Sequence, residues 1–281
     1  MTVMKRSNPW LAVALWTLIS FLTLFPIYWL FVISVKPAVD LFSTPDVLLT
    51  SIDWQNYIKV MNDSTLRGYM MNSLIISTGN AVLVTTLGFL ACYALTRFDL
   101  AGKESVFFWT ITNRMAPPAV FLLPLYLLLT QVYVIGDFKL ADTHLGMILV
   151  YCTFNLPFAI WTLRPTLDGI PKELDEAAFV DGASAWQVIS VVIFPLARPG
   201  LAVTLILTWV FAWNEYLLAA TLTNFNARTL TTGLSEYVTT TGTEWGIMAA
   251  ISVFTLIPAL IVFGMVQKHI VAGLTFGAVK G

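Results

Sequence analysis

Polar side chains inside long apolar stretches are the residues of this sequence with the most chemistry to offer. Groups of this kind are costly in an apolar environment and usually face a cavity or a partner. The candidates are Asn113, Arg114, Tyr151, Asn155, Asn214 and Glu215. Tyr151 and Asn155 are four residues apart, so they share one face of a helix. Together the six residues supply donors and acceptors for a hydroxyl-rich solute and predict a polar path.

Arg114 and Glu215 allow two interpretations. Asn113 and Arg114 fall near the middle of an apolar stretch, just before Pro117 and Pro118, where a helix is expected to kink. In the first interpretation Arg114 lines the path and its guanidinium donates to solute. In the second interpretation Arg114 and Glu215 pair with each other or with a partner subunit and contact no solute.

No arrangement of residues indicates that the chain is a catalyst. The sequence has no G-x-x-x-x-G-K-[ST] motif, and no Ser, His and Asp combination or close carboxylate pair suggests hydrolysis. Cys92 and Cys152 lie in apolar runs without redox spacing, and His144 and His269 have no other ligands at metal-binding spacing. We therefore predict that the chain is not an enzyme and holds no metal or cofactor of its own.

Composition indicates an integral membrane protein. Of 281 residues, 58% are hydrophobic and 11% are charged, whereas about a quarter of residues are charged in soluble domains. The net charge of −1 argues against nucleic acid as a partner. Helical spans in lipid, each of about 20 residues, are predicted near residues 10–34, 71–95, 105–133, 144–163, 201–222 and 246–267. The prediction is an all-α, six-span chain with a single domain, residues 1–281, in which Asn214 and Glu215 lie in the outer half of the fifth span.

A charged stretch, residues 171–200, separates the fourth and fifth spans and is predicted to begin with a short helix. Pro171 suits a first helical turn, where its missing N–H needs no partner. Glu173, Asp175 and Glu176 then place negative charge near the positive end of the helix dipole.

The remainder of this stretch is predicted to turn and form a second helix. Gly182 suits the left-handed conformation that ends a helix, and Ser184 with Gln187 forms a capping-box pattern. Pro195 is expected to stop the second helix, and the pair 199–200, Pro-Gly, marks a further bend. We call residues 171–200 the elbow and expect it at the membrane surface.

The elbow resembles the EAA loop of ABC importer permeases. The family pattern is EAA, three residues, G, nine residues and I-x-L-P. It is followed by Glu176, Ala177 and Ala178, then Gly182, then residues 192–195, VIFP, in which Val replaces Ile and Phe replaces Leu, apolar for apolar. The resemblance narrows to the carbohydrate-uptake branch, typified by maltose permease subunits, at Asp181, Gly182 and Ala183 and at residues 195–200. By this resemblance the elbow couples to an ATPase through Glu176, Ala177, Ala178, Asp181, Gly182, Ala183 and Pro195.

The resemblance extends from about Phe21 to the end and implies the type I importer permease fold. It implies the membrane-spanning subunit of an ATP-driven, binding-protein-dependent importer for a sugar or polyol. Expected partners are a second permease subunit, two ATP-binding subunits that bind ATP and Mg, an extracytoplasmic solute-binding protein and membrane lipid. The alternatives are a self-sufficient secondary carrier or channel, which would need its own coupling carboxylates and two related halves, and a scaffold without a path.

The distribution of Lys and Arg predicts the orientation. An even number of spans places both termini on one side, and the side richer in Lys and Arg is cytoplasmic. The candidate inner segments hold nine of the fifteen basic residues and the outer segments hold five. We therefore predict a multi-pass protein of a bacterial or archaeal inner membrane, with both termini and the elbow in the cytoplasm.

Overall fold

Helices dominate the computed structural model, which describes residues 9–42, 51–132, 134–135, 138–240 and 242–278. The first part contains α1 (Pro9–Val35), α2 (Gln55–Asn62), α3 (Ser64–Arg97), α4 (Lys103–Met115), α5 (Pro118–Leu127), a π-helical turn (Leu128–Val132) and strands β1 (Val134–Ile135) and β2 (Phe138–Lys139). The second part contains α6 (His144–Asp168), α7 (Glu173–Val180), α8 (Ala185–Gln187), a π-helical turn (Val188–Ile193), α9 (Phe194–Trp213), α10 (Leu217–Leu222), α11 (Leu230–Gly233), a 3-10 turn (Leu234–Tyr237), β3 (Val238–Thr239), β4 (Gly242–Thr243) and α12 (Trp245–Ala278).

Five helices among the described residues are long and apolar enough to cross a membrane. A sixth span is obtained if α4 and the segment Pro118–Val132 are counted as one bent pair. Spans are helical because lipid offers no hydrogen-bond partner to the backbone. The two antiparallel hairpins, β1 with β2 and β3 with β4, have two residues in each strand. The all-α prediction is confirmed.

The chain divides into two compact units. The first comprises the described residues of Met1–Leu66 and Leu234–Pro258, and the second those of Arg67–Gly233 and Ala259–Gly281. The single domain predicted for residues 1–281 stays a prediction, and the two units are described in turn.

In the first unit, polar side chains of α2 are bonded to the end of α1. The Asn56 amide donates to the Ser34 carbonyl oxygen at 3.0 Å, and the Ser34 and Tyr57 hydroxyl oxygens are 2.7 Å apart. The Tyr57 ring also contacts the Phe254 ring of α12 edge-on, with centroids 5.5 Å apart. These contacts explain the position of α2, which is too short to be stable alone.

In the second unit, α6 packs against both α4 and α9. Small residues allow the backbones to approach closely, as is common between membrane helices. A side chain on Gly88 would collide with Ala159, and one on Gly200 would collide with Thr166. Around α6 lie two apolar clusters: one includes Ile76, Met147, Val150, Phe154 and Leu218, and the other includes Phe89, Cys92, Leu163, Leu167, Val188 and Ile193.

The predicted kink in the third span is a sharp break. The α4 helix ends at Met115, and the next helical segment, Pro118–Val132, leaves at 96° to it. Ala116 and Pro117 are both extended, with ψ of 133° and 128°. Proline disfavours the helical conformation in the residue before it, so two successive prolines stop the helix and start the next. Residues 105–133 are therefore two helical segments.

The predicted end of the elbow's second helix at Pro195 is wrong. Helical backbone is continuous from Ala185 to Trp213, with Pro195 and Pro199 inside it. The Phe194 N–H donates to the Ile189 carbonyl, five residues back. In the wider π turn before Pro195, the carbonyl four residues back no longer has to face the proline ring, so the usual clash is relieved.

The predicted span 201–222 is also wrong at its C-terminal end. The long helix ends at Trp213, and Asn214 caps it with a φ of −92° and ψ of 1°. A second short helix, α10, follows from Leu217 to Leu222. Asn214 and Glu215 therefore lie between two helices. The prediction failed because an apolar run in the sequence does not show where a polar residue ends one helix and starts the next.

The close approach at Gly200 gives the first prediction. Gly200→Ala should lower the free energy of unfolding of the purified protein in detergent by about 1–3 kcal/mol, the usual range for overpacking, and its melting temperature with it. This loss should exceed the gain from replacing a helical glycine, about 1 kcal/mol. Thr166→Ala in the same chain should restore most of the stability because it removes the colliding atoms.

Gly264→Ala is the matched control, since a side chain there meets no atom within 4 Å. Equal melting temperatures for Gly200→Ala and Gly264→Ala would contradict the packing argument.

Candidate functional site

The turn of the elbow has the geometry predicted from Gly182. Its φ is +84°, and its N–H donates to the Phe179 carbonyl at 3.0 Å. The Ala183 N–H donates to the Ala178 carbonyl at 3.0 Å. This pair of bonds is a Schellman motif, which satisfies the last carbonyls of a helix by a left-handed residue. It closes α7 with a defined direction.

The helix after the turn begins with the predicted capping box. The Gln187 N–H donates to the Ser184 hydroxyl at 3.4 Å, and the Ser184 N–H donates to the Gln187 side-chain oxygen at 2.7 Å. Four residues thus separate two capped helix ends. The turn is fixed by local hydrogen bonds and does not depend on a partner.

The outer surface of the elbow combines apolar side chains with charge. Glu176 and Ala177 are exposed in α7. Val180 is 87% exposed, and Phe179 is also exposed. Exposed apolar groups gathered on one short motif are typical of a protein interface. Of the predicted coupling residues, Glu176, Ala177, Ala178, Asp181, Gly182 and Ala183 lie in α7 and the turn, whereas Pro195 lies in α9.

The opposite side of α7 is tied to the membrane helices by a buried carboxylate that was not predicted as a site residue. Asp175 is 6% exposed and accepts a hydrogen bond from the Tyr93 hydroxyl at 2.9 Å. The Arg97 Nε atom lies 3.1 Å from the second carboxylate oxygen, at ion-pair distance but without hydrogen-bond alignment. Arg97 also donates to the Leu167 and Ile170 carbonyls at 3.3 and 3.0 Å. These contacts join α3, the end of α6 and α7.

One cavity of about 250 Å³ in the second unit is lined by four of the predicted path residues, Arg114, Tyr151, Asn155 and Glu215. Arg114 donates to the Asn155 side-chain oxygen at 3.3 Å. Its guanidinium carbon lies 4.0 Å from the centre of the Phe211 ring and 5.0 Å from that of Phe158. Cation–π contacts of this kind stabilise an Arg in an apolar setting.

Asn155 is held in turn by Asn80, which the sequence analysis missed. The Asn155 amide donates to the Asn80 side-chain oxygen at 2.8 Å, and the Asn80 amide donates to the Ile148 carbonyl at 2.9 Å. Asn80 is fully buried in the second span. The rule that selects polar residues inside apolar stretches would have found it.

Glu215 caps a helix. Its carboxylate accepts from the Leu218 N–H at 3.0 and 3.1 Å and from the Ala219 N–H at 3.1 Å, at the start of α10. The Tyr151 hydroxyl is buried beside this carboxylate without the alignment of a hydrogen bond. No ion pair joins Glu215 to Arg114 in the described part of the chain. The backbone N–H groups of α10 therefore hold the carboxylate.

Two predicted path residues lie outside the cavity lining. The Asn214 amide donates to the Val210 carbonyl at 2.8 Å and serves its own helix end. The Asn113 side-chain oxygen is buried without a hydrogen-bond partner among the described residues. The structure thus brings four of the six candidates together.

A second unpredicted carboxylate fixes the chain between α10 and α11. Asp142, at φ 55°, accepts hydrogen bonds from the four successive N–H groups of residues 224–227, at 2.9 to 3.1 Å. Burial raises the pKa of Asp142, but these four donors lower it more, so its pKa lies below the usual carboxyl range. The Asn72 amide adds bonds to the carbonyls of Asn226 and Arg228, each at 2.9 Å. The loop is held at both ends.

Metal ligation has no candidate in the portion of the chain described here, where no three His, Cys, Asp or Glu side chains come together. ATP and Mg remain predictions for partner subunits.

Residues 85–275 match the family described as "Binding-protein-dependent transport system inner membrane component". The match covers more than half of the chain, which therefore belongs to this family of inner-membrane permease subunits of ABC importers. The chain is a transport subunit, and the alternative of a self-sufficient carrier or channel is set aside.

Curated relatives span nearly the whole chain. The trehalose transport system permease protein SugB of Mycobacterium tuberculosis is 34% identical over 99% of both chains. The trehalose/maltose transport system permease protein MalG of Thermococcus litoralis is 31% identical over 94% of both. The diacetylchitobiose uptake system permease protein NgcG of Streptomyces coelicolor is 29% identical over 95% of this chain and 87% of the relative.

Among solved structures, a chain of a bacterial ABC transporter that imports the acidic polysaccharide alginate aligns with a TM-score of 0.75. It is 22% identical and the alignment covers 96% of this chain and 100% of that one. The MetNI methionine ABC transporter aligns with a TM-score of 0.55 over 74% of this chain and 94% of that one. The predicted importer permease fold is confirmed.

The second prediction concerns the Asp142 anchor. Asp142→Asn should reduce the hydrogen-exchange protection of amides 224–227 by about 2 kcal/mol, because a charged acceptor of several bonds is replaced by a neutral one. Since the pKa of Asp142 is lowered, the anchor should persist at all pH values above the usual carboxyl range and be lost only as pH falls through the lowered pKa.

Glu244→Gln removes a carboxylate elsewhere and should leave these amides protected. Unchanged exchange at 224–227 in Asp142→Asn would show that the loop does not depend on this carboxylate.

Proposed function

We propose that this chain forms part of the translocation path for a sugar, oligosaccharide or polyol in an ATP-driven importer. The observation that carries the proposal is the elbow, in which two capped helix ends present Glu176 and exposed apolar side chains away from the membrane helices. Curated relatives named for trehalose, maltose and diacetylchitobiose transport support a carbohydrate as solute. In this proposal two ATPase subunits bind ATP and Mg, a second permease completes the path and a solute-binding protein delivers the solute.

The buried Asp175 supplies a route by which ATPase movement reaches the membrane. A force on α7 acts on Tyr93 and Arg97 of α3 through the Asp175 carboxylate. Breaking a buried ion pair leaves an uncompensated charge and typically costs 3–5 kcal/mol. It is therefore cheaper for α3 and the end of α6 to move with α7 than to separate from it.

The cavity at Arg114 suits a hydroxylated solute. Arg114 offers donors, and the Asn155 side-chain oxygen, the Tyr151 hydroxyl and the Glu215 carboxylate offer acceptors, since the Asn155 amide N–H groups are bonded to Asn80 and Thr208. Phe211 adds an apolar ring next to these polar groups. Sites of this composition combine a few orienting polar groups with apolar lining. We assign the solute-lining role to these five residues, with Arg114 in the path.

The proposed orientation places the elbow and both termini in the cytoplasm. The excess of Lys and Arg on that side supports it, and an ATPase can bind only an elbow that faces the cytoplasm. Glu176 is then available for a charge-assisted contact to an Arg or Lys of the ATPase.

The third prediction tests the elbow. Gly182→Leu should leave membrane insertion intact and reduce co-purification of the ATPase subunits and solute-stimulated ATP hydrolysis. A non-glycine residue in the left-handed conformation costs about 1–2 kcal/mol, and a side chain at Gly182 meets no atom within 4 Å, so the effect is on the backbone turn.

Gly102→Leu is the matched control, because Gly102 has a φ of +80° and an equally open surrounding. If Gly182→Leu assembled and hydrolysed ATP like Gly102→Leu, the elbow would not be the coupling element.

The fourth prediction tests the path. Arg114→Met should leave assembly and basal ATP hydrolysis near normal and lower uptake about tenfold or more, by an amount that differs among labelled sugars and polyols. A hydrogen bond from a charged donor is typically worth about 1.5–3 kcal/mol. Thr112→Val, which removes an exposed hydroxyl bonded only to the Phe108 carbonyl, is the control.

A structural role for Arg114 would give a different result. Arg114→Met would then lower assembly and basal hydrolysis together with uptake. Normal uptake of every solute by Arg114→Met would remove Arg114 from the path.

A further inference from the structure

A large apolar groove lies in the second unit, on a different part of the surface from the Arg114 cavity. It has a volume of about 740 Å³ and is formed by α3, by the helical run from α8 to α9 and by the second half of α12. Its apolar lining includes Phe89, Leu201, Leu205, Met265 and Val266. All of these helices are membrane spans, so the medium outside the groove is lipid or another membrane helix.

One charged side chain stands in this apolar lining. Arg198 lies four residues after the start of α9, which corresponds to a rise of about 6 Å. With the elbow in the cytoplasm, as proposed above, and the 20 residues of α9 about as long as a bilayer core is thick, Arg198 lies roughly 6 Å inside the inner edge of the core. An arginine side chain at that depth extends along apolar surface to the inner-leaflet headgroups. No ion pair satisfies Arg198 within the described ranges. Its guanidinium carbon lies 5.8 Å from the centre of the Phe194 ring.

A buried hydroxyl in the groove lining also lacks a partner. Thr85 is 5% exposed, and its hydroxyl oxygen has no hydrogen bond in the described structure. The adjacent Thr86 bonds the Val82 carbonyl at 2.8 Å, as helical threonines commonly do. A buried polar group without a partner indicates a ligand or water that the lining residues do not replace.

We propose that this groove is a binding site for an anionic phospholipid of the inner leaflet, with the headgroup phosphate at Arg198 and an acyl chain along the apolar lining. Basic pockets between membrane helices on the cytoplasmic side bind such headgroups. An apolar helix of a second permease would fill the same volume but would leave the Arg198 guanidinium without a counter-charge, whereas a phosphate accepts its hydrogen bonds.

The test uses the whole transporter, with both permeases and the ATPase subunits, in nanodiscs of equal parts phosphatidylethanolamine and phosphatidylglycerol. Native mass spectrometry measures which lipid stays bound. We expect preferential retention of phosphatidylglycerol, about fivefold weaker in Arg198→Gln, which corresponds to about 1 kcal/mol per basic residue at an anionic membrane surface. Arg198→Lys should keep most of the preference, and Lys103→Gln, a basic residue paired with Asp99 outside the groove, should keep all of it.

If Arg198→Gln assembles poorly, two further measurements still test whether lipid occupies the groove. Ala202→Trp adds bulk to the groove lining without changing charge and should abolish the retained lipid. A photoreactive side chain at Leu205 should label lipid. Equal retention of both lipids by the parent, an unchanged preference in Arg198→Gln, or cross-linking of position 205 to the second permease would overturn the proposal.

Solute-stimulated ATP hydrolysis by the same samples separates this inference from the proposed function. Normal hydrolysis without lipid preference overturns the lipid site alone. Absence of solute-stimulated hydrolysis in the parent complex would count against the transport proposal.

Discussion

The burial of Asp175 is the interaction on which the connection between the elbow and the membrane helices depends. A carboxylate that is 6% exposed is stable only with partners, and here Tyr93 and Arg97 provide them from α3. Arg97 reaches further, to the carbonyls at the end of α6. Three helices thus meet at one charge. The elbow has one face determined by this burial and a second face that is exposed.

The same principle, that a polar group in an apolar setting must be satisfied, explains the interior of the spans. Arg114 is bonded to the side-chain oxygen of an amide and contacts two aromatic rings, and the Glu215 carboxylate accepts hydrogen bonds from the N–H groups at a helix start. Neither group needs the other, although both line one cavity. Each keeps some hydrogen-bonding capacity that a solute or water is able to use. In the proposed path, this arrangement leaves the polar groups available because Arg114 and Glu215 do not close the cavity by pairing.

The sequence predicts what local rules decide. Gly182, Ser184 and Gln187 act over a few residues, and the turn they build agrees with the prediction. The predicted helix end at Pro195 is wrong because a π turn, which the rules for proline do not anticipate, allows the helix to continue. The placement of Glu215 inside a span is wrong because its carboxylate caps the start of a new helix within the apolar run. Asp142 is bonded to N–H groups 82 to 85 residues away, and no local pattern predicts such a distant pairing.

The π turn between Val188 and Ile193 also sets a rotational phase. An α-helix advances about 100° per residue, and a π turn holds one residue more than an α turn would. Deleting a single residue there would restore regular helix and leave the elbow at nearly the same angle about the axis of α9, because the wider turn already absorbs that residue. Deleting one residue from a regular turn of α9 would instead rotate the elbow by about 100° and turn the side of α7 that carries Asp175 away from Arg97. The loss of one residue would thus separate two individually intact elements or leave them aligned, according to where in the helix it occurs.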